Sequence, residues 1–219
     1  MGRSQQDYAA ERTRMVAQQL KGRGIRDAAV LAAMGIVPRE AFIEEPCKSY
    51  AYDDTPLPIP AGQTISQPYV VARMISLLNL EPDERVLEIG TGSGYGAAVL
   101  SCIVREVYTV ERHRKLVEYA RRRLEEQGFI NVRVHHGDGT LGWAEHAPYD
   151  AIIVAAGGPS VPSSLVRQLK IRGRLVMPVG RRKRKQRLVR VTREDENRFD
   201  KKELDPVAFV PLIGTEGWK

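Results

Sequence analysis

Apolar positions follow two rhythms along this chain, and the change between them comes near residue 85. Over residues 5–21, Tyr8, Met15, Val16 and Leu20 share one side of a helical wheel, which predicts an amphipathic helix ended by Gly22 and Gly24. Asp27 is placed to cap a second helix running through Met34, and Val37-Pro38-Arg39-Glu40-Ala41-Phe42 begins a third short turn or helix. A proline-rich passage over 53–62 cannot be regular helix. Pro68 then opens an apolar-periodic run of Val70, Val71, Met74, Ile75, Leu77 and Leu78, which predicts a helix. Ser66 stands where it can cap that helix, face a ligand, or do both.

Beyond residue 85, short apolar β-branched runs alternate with helical periodicity. Strands are predicted over 86–89, 106–111, 132–135, 149–156, 173–179, 188–191 and 207–212, and helices over 114–127 and 161–170. This alternation predicts an α/β, doubly wound, mostly parallel sheet of about seven strands preceded by a helical extension. The final strands, joined without a helix, must include an antiparallel pair. A single domain over 1–219 is expected, with the extension and proline-rich passage over 1–62 and the sheet core over 63–219.

The first predicted strand stops at Gly90-Thr91-Gly92-Ser93-Gly94-Tyr95-Gly96, with an apolar helix behind it. Alternate glycines let the main chain approach a ligand, and the helix start offers unpaired N–H groups. Glu111 ends the second strand about twenty residues on, where an acid can accept both hydroxyls of a ribose. The loop His136-Gly137-Asp138-Gly139 closes the third strand at the same sheet edge. Asp138 is placed to accept an adenine amino group and the Gly139 N–H to donate to the ring. Together these features predict an adenosine-bearing cofactor.

Charge adds a local feature. The net charge is +7, and six of the seven residues in Arg181-Arg182-Lys183-Arg184-Lys185-Gln186-Arg187 are cationic, leaving about +1 elsewhere. The run joins two predicted strands, so it reads as a solvated hairpin tip or a contact for polyanions. With 6% aromatic residues and one charged tip, the chain lacks the spread cations and stacking platforms of an RNA-binding module. The N-terminus lacks the apolar run of a signal peptide, no segment approaches membrane-spanning length, and Cys47 and Cys102 stand far apart. A cytoplasmic protein without a membrane or metal site is expected. His113, His135, His136 and His146 form no constellation with an acid or cysteine and are expected at the surface or in packing.

Two adenosine cofactors suit the design. A Gly92, Gly94, Ala97 spacing can be read as the dinucleotide fingerprint, but Glu88 directly before the loop would repel a pyrophosphate and suits an ammonium group. That favours S-adenosylmethionine over NAD.

Beyond these features, the chain resembles the protein-L-isoaspartate O-methyltransferases along nearly its whole length. The resemblance lies in Gly24-Ile25-Arg26-Asp27, Val37-Pro38-Arg39-Glu40, Gly62-Gln63-Thr64-Ile65-Ser66-Gln67-Pro68, 86–95, Gly137-Asp138-Gly139, 147–152, 173–180 and Phe209-Val210-Pro211-Leu212. The segment over 62–68 is the family-specific part. The resemblance implies a Rossmann-like S-adenosylmethionine methyltransferase fold with its last two strands in swapped order. It also implies methyl transfer to the free carboxylate of L-isoaspartyl residues in damaged proteins and peptides, giving S-adenosyl-L-homocysteine and an ester that closes to a succinimide. Carried over by motif, Ser66 is the catalytic residue, and Gln63, Thr64, Ile65 and Ser66 line the substrate channel. Glu88, Gly90, Thr91, Gly92, Ser93, Gly94, Glu111, Asp138 and Gly139 hold the cofactor. A monomer is expected. The cationic run over 181–187 is not part of the family's shared pattern. The alternative is an RNA methyltransferase, for which that run is the argument; however, Ala155-Ala156-Gly157-Gly158-Pro159 stands where base-modifying enzymes carry their signature.

Overall fold

The computed structural model describes residues 5–182 and 185–219. Helix α1 (Gln5–Arg14) continues through a π-helical turn (Met15–Leu20) and a 3-10 turn (Lys21–Arg23) to Gly24, whose φ of 93° ends the helical path. Asp27 caps α2 (Ala28–Ile36) as expected, its carboxylate accepting from the Val30 N–H at 3.1 Å. The proline-rich passage folds into a two-stranded antiparallel ribbon, β1 (Leu57–Ile59) with β2 (Gln63–Ile65). The reversal between them is tight enough to put Ala61 and Gly62 at φ of 59° and 66°.

Helix α3 (Pro68–Ser76) begins with its proline, but Ser66 does not cap it. Asp54, reaching across from the proline-rich passage, accepts from the Tyr69 N–H at 3.1 Å and also pairs with Arg23. A remote carboxylate therefore does the capping and leaves the serine hydroxyl available.

The rest of the chain alternates as predicted: β3 (Arg85–Ile89), α4 (Tyr95–Ser101), β4 (Glu106–Glu111), α5 (Arg114–Glu126), β5 (Val132–His136), β6 (Tyr149–Val154), α6 (Ser163–Arg167) and β7 (Leu169–Arg182). Two further strands follow, β8 (Lys185–Arg193) and β9 (Phe199–Val207). The seven strands from β3 to β9 form one sheet in the order β5-β4-β3-β6-β7-β8-β9. Neighbours are parallel from β5 to β7, and β8 is antiparallel to both β7 and β9. The last two strands thus follow one another outward to the sheet edge.

Two boundaries differ from the sequence expectation. The predicted helix over 161–170 shortens to α6, because Pro162 precedes its first turn and Leu169 already belongs to β7. The last strand is β9 rather than 207–212. Its sequence, Phe-Asp-Lys-Lys-Glu-Leu-Asp-Pro-Val, is mostly exposed, and its charges and proline suit an edge that must not recruit another strand. Residues 208–212 instead leave the sheet and touch it through a bridge between Pro211 and Gly157. The cationic run spans the end of β7 and the start of β8, and its centre, Lys183 and Arg184, lies outside the described residues.

The core lies on both faces of the sheet. On one, Leu20, Met34 and Phe42 from the extension pack with Ile75, Tyr95, Val107 and Leu188 in a continuous cluster. On the other, Leu87, Tyr108, Ile152, Leu165 and Leu175 pack together.

Candidate active site

A cavity of about 340 Å³ opens at the C-terminal ends of β3, β4 and β6, the edge at which open α/β sheets bind ligands. Its walls come from the glycine loop, the Ser66 segment and residues 209–213. Gly92 adopts φ 55°, and a Cβ there would sit 3.4 Å from Ile59 Cδ1, so the ribbon packs closely over the glycine loop. This contact brings the family-specific segment to the cofactor motif.

Glu111 ends β4 with each carboxylate oxygen taking one main-chain donor, Gly92 N–H at 3.1 Å and His113 N–H at 2.9 Å. These bonds fix the carboxylate plane and leave lone-pair capacity for further donors. Glu88 lies deeper, 4% exposed, and accepts from the Thr109 hydroxyl at 2.6 Å; that hydroxyl is 2.7 Å from the Thr91 hydroxyl. Burial pushes the Glu88 carboxyl up from 4.5 to about 8, against the Thr109 hydrogen bond, with the charge of Glu111 adding to the rise. No cation among the described residues balances it. A positively charged ligand group placed there would remove the penalty, which is the demand an amino-acid ammonium meets. Gly96 faces the same carboxylate, and a Cβ on it would collide with Glu88 Oε1. A larger residue there would have to push the Glu88 carboxylate aside.

Of the expected cofactor residues, Glu88, Gly90, Thr91, Gly92, Ser93, Glu111 and Gly139 line the cavity. Gly94 and Asp138 do not. Gly94 takes φ 93° as the N-cap of α4, and a Cβ there would press on Leu124 of α5 at 3.3 Å. Asp138 accepts from Thr140 N–H at 2.9 Å and the Thr140 hydroxyl at 2.6 Å on one oxygen, and from Thr215 N–H at 2.7 Å on the other. Partial burial opposes its charge, but these donors outweigh it and hold the carboxyl below its ordinary range. Asp138 thereby ties the Gly139 loop to the C-terminal segment.

Gln63, Thr64, Ile65 and Ser66 all line the cavity. The Ser66 main chain is held by Arg39, a fully buried arginine that the sequence reading did not single out. Its Nη2 donates to Ser66 O at 2.8 Å, its Nε to Ala51 O at 2.8 Å, and its guanidinium lies 4.9 Å from the Tyr95 ring centre. Nη1 has no hydrogen-bond partner among the described residues. Tyr95 itself lines the cavity, so one buried cation touches both the serine segment and the helix behind the glycine loop. The wall over 209–213 was also missed, as was His113, which lines the cavity instead of serving only surface or packing. The other histidines follow expectation: His135 stacks on Trp143, His146 lies against Tyr108, and His136 bonds the Arg112 carbonyl. Among the described residues, no group of three or more His, Cys, Asp or Glu could hold a metal ion, and no helix is long and apolar enough to cross a membrane.

Comparison with known proteins agrees with this arrangement. The family model for protein-L-isoaspartate(D-aspartate) O-methyltransferase matches residues 10–217. A protein-L-isoaspartate O-methyltransferase 2 from Pelobacter propionicus is 60% identical over 204 residues, covering 93% of this chain and 91% of the relative. One from Rhodopseudomonas palustris is 59% identical over 211 residues, covering 96% and 86%. Among solved structures, a protein-L-isoaspartate O-methyltransferase superposes with a TM-score of 0.84 at 33% identity, over 94% of this chain and 67% of that one. A Plasmodium falciparum structure assigned to the same family, solved with S-adenosyl-L-homocysteine, gives 0.80 at 27% identity, over 94% and 98%. With the serine segment, glycine loop and strand-end acids gathered on one cavity and the family model spanning almost the full length, this chain belongs to the protein-L-isoaspartate O-methyltransferase family.

Proposed function

We propose that the protein transfers a methyl group from S-adenosylmethionine to the free carboxylate of L-isoaspartyl residues in polypeptides. The observation that carries this reading is the cavity itself, where Ser66 on one wall faces a site that already holds two buried acids and a glycine loop. The residues present fit the cofactor. Glu88 supplies an unbalanced buried carboxyl for the methionine ammonium, Glu111 a fixed acceptor pair for the ribose, and Gly139 a main-chain edge at the adenine end. Asp138 supports that edge by anchoring residues 138–140 to Thr215. When bound, S-adenosylmethionine supplies an electrophilic methyl group on a sulfonium that leaves as a neutral thioether.

The chain's own task is alignment. A carboxyl group with an ordinary pKa of about 4 is an anion at neutral pH and attacks without a base. The Ser66 hydroxyl has no hydrogen-bond partner among the described residues and donates to one carboxylate oxygen, leaving the other to attack. Its position is set through the carbonyl that Arg39 grips. Orienting reactants in this way lowers barriers by up to about 7–11 kcal/mol. The cavity walls over 62–66 and 209–213 receive the substrate main chain and exclude water from the reacting line. The methyl ester then closes to a succinimide outside the protein.

The test is methyl transfer from labelled S-adenosylmethionine to two synthetic peptides differing only in one isoaspartyl or normal aspartyl linkage. Base-labile label on the isoaspartyl peptide alone is expected, and Ser66→Ala should lower kcat while leaving S-adenosylhomocysteine affinity unchanged. Label on both peptides, or on neither, would overturn the reading.

A further inference from the structure

The cationic run has no part in the chemistry above, yet the topology carries it to the site. β7 runs parallel to β6, with Ala151 beside Arg174 and Ile153 beside Val176, so β7 leaves the sheet at the edge where β3, β4 and β6 open the cavity. The end of β7 is stitched to the segment after β6. Gly180 N–H donates to Gly158 O, and Gly158 N–H to Pro178 O, each at 3.0 Å. The same segment holds the cavity wall, through Gly157 N–H to Val210 O at 2.8 Å and Leu212 N–H to Gly157 O at 2.9 Å.

A direct tether comes from Gln186, the one uncharged residue of the run. It is 3% exposed; its Oε1 accepts from the Phe209 N–H at 2.9 Å and its Nε2 donates to the Phe209 carbonyl at 3.4 Å. Phe209 lines the cavity. A second, open groove lies next along the chain from Phe209, lined by Val179, Gly180, Lys185, Arg187, Glu203 and Ala208. The cations are therefore fastened to the substrate wall. Arg181 and Lys185 are exposed and make no ion pair among the described residues, whereas Arg187 has Glu203 at 3.7 Å.

We propose that the β7–β8 ribbon is a substrate-selecting arm whose cations Arg181 and Lys185 receive acidic side chains flanking the isoaspartyl residue. This inference rests on the reaction proposed above and names the polypeptides it favours. An extended chain advances about 3.3 Å per residue, so a peptide anchored in the cavity carries its flanking residues out toward the groove. Carboxylates there meet Lys185, which lines the groove, and exposed Arg181, the next residue after Gly180. A nucleic acid suits the arm less. Glu203, paired with Arg187, and Asp205, paired with Arg73, interrupt the positive charge that a continuous phosphate chain would need, whereas one or two carboxylates need only Arg181 and Lys185; exposed Phe199, at the opposite end of β9, offers no stacking platform beside them. Exposed ion pairs are individually weak and screened beyond about 8 Å at physiological salt, so the preference should be modest and should fade with ionic strength.

The experiment uses the full-length protein and three isoaspartyl peptides that share a core and carry Glu, Gln or Lys at the flanking positions. At low salt the wild type should favour the Glu-flanked over the Lys-flanked peptide by about 10-fold in kcat/KM, mostly through KM, with the ratio shrinking at 0.5 M salt. Arg181→Glu with Lys185→Glu should reverse the order while leaving kcat on the Gln-flanked peptide, S-adenosylhomocysteine affinity and the thermal midpoint unchanged. Equal kcat/KM on all three peptides, or a preference that survives the double variant, overturns the arm alone. Failure to methylate any isoaspartyl peptide overturns the reaction instead. Salt-dependent binding of poly-uridine, lost in the double variant and joined to no peptide preference, would overturn the acidic-peptide assignment in favour of nucleic acid.

Discussion

Glu88→Gln should make the ligand-free protein more stable and the enzyme worse. The Glu88 carboxyl sits above its ordinary value, moved from 4.5 to about 8 by burial, so the folded state holds its proton more tightly than the unfolded chain. Below about pH 4.5 both states are protonated and nothing is lost. Between 4.5 and about 8 the unfolded chain releases the proton while the native state keeps it, and stability falls as pH rises. At about 1.36 kcal/mol per unit, the full penalty above pH 8 is at most about 5 kcal/mol. A neutral glutamine of the same shape, still bonded to Thr109, escapes it. Chemical denaturation of ligand-free wild type and variant from pH 5 to 9 should give curves that meet at the acid end and diverge by about 2–5 kcal/mol at the alkaline end. Affinity should move the other way. Loss of a charged hydrogen bond to the cofactor ammonium costs about 1.5–3 kcal/mol, or about 10- to 150-fold in the Kd for S-adenosylhomocysteine. Titration calorimetry at pH 7 in two buffers of different ionisation enthalpy should detect a proton released on binding to the wild type and none with the variant. Parallel stability curves, or equal proton release, would refute the argument.

Arg39→Lys keeps the charge but cannot span the Ser66 and Ala51 carbonyls; about 1–3 kcal/mol of stability should go with each acceptor left unpaired. Turnover should fall much more than S-adenosylhomocysteine affinity, and a folded variant with wild-type kcat would show that the arginine does not position the serine. Gly96→Ala should displace the Glu88 carboxylate and weaken S-adenosylhomocysteine binding by at least about 10-fold with the far-ultraviolet circular dichroism preserved. Unaltered binding would mean that the helix start yields instead of the acid.

The parts of the fold that showed in the sequence are those in which local pattern and tertiary role coincide. β6 is buried along nearly its whole length and reads as a continuous apolar run, and Asp27 caps the helix that starts at the next residue by accepting from an N–H three residues on. The parts that did not show are held by partners far along the chain. Ser66 could be read as a helix cap, a ligand contact or both because only its neighbours were visible; the helix start is capped by Asp54, twelve residues earlier. Arg39 looks like any surface arginine until the ribbon and Tyr95 close over it. β9 is an exposed edge, so selection against pairing erased the alternation by which strands are found. Asp138 follows β5 at the same sheet edge as Glu111, as expected, but the bonds its carboxylate accepts from Thr140 and from Thr215, seventy-seven positions away, could not be read from the sequence.

These long-range ties divide the work of the site. The glycine loop and the two acids lie on consecutive strands and their turns, as local motifs, whereas the proposed substrate wall is assembled from both ends of the chain. Its serine segment hangs on an arginine of the extension, and its other side, residues 209–213, is bonded to Gly157 and to Gln186. The core cluster on that face runs without a break from Met15 to Phe209. A substitution in the extension that loosens Arg39 therefore acts on turnover through the same packing that stabilises the sheet. Among the described residues Arg39 makes no hydrogen bond to β3 or β4 and reaches the proposed cofactor half only through the Tyr95 ring, so affinity there should fall much less than turnover. That separation is why the kcat of the Arg39 variants, read beside S-adenosylhomocysteine affinity, distinguishes a positioning role from general loss of fold.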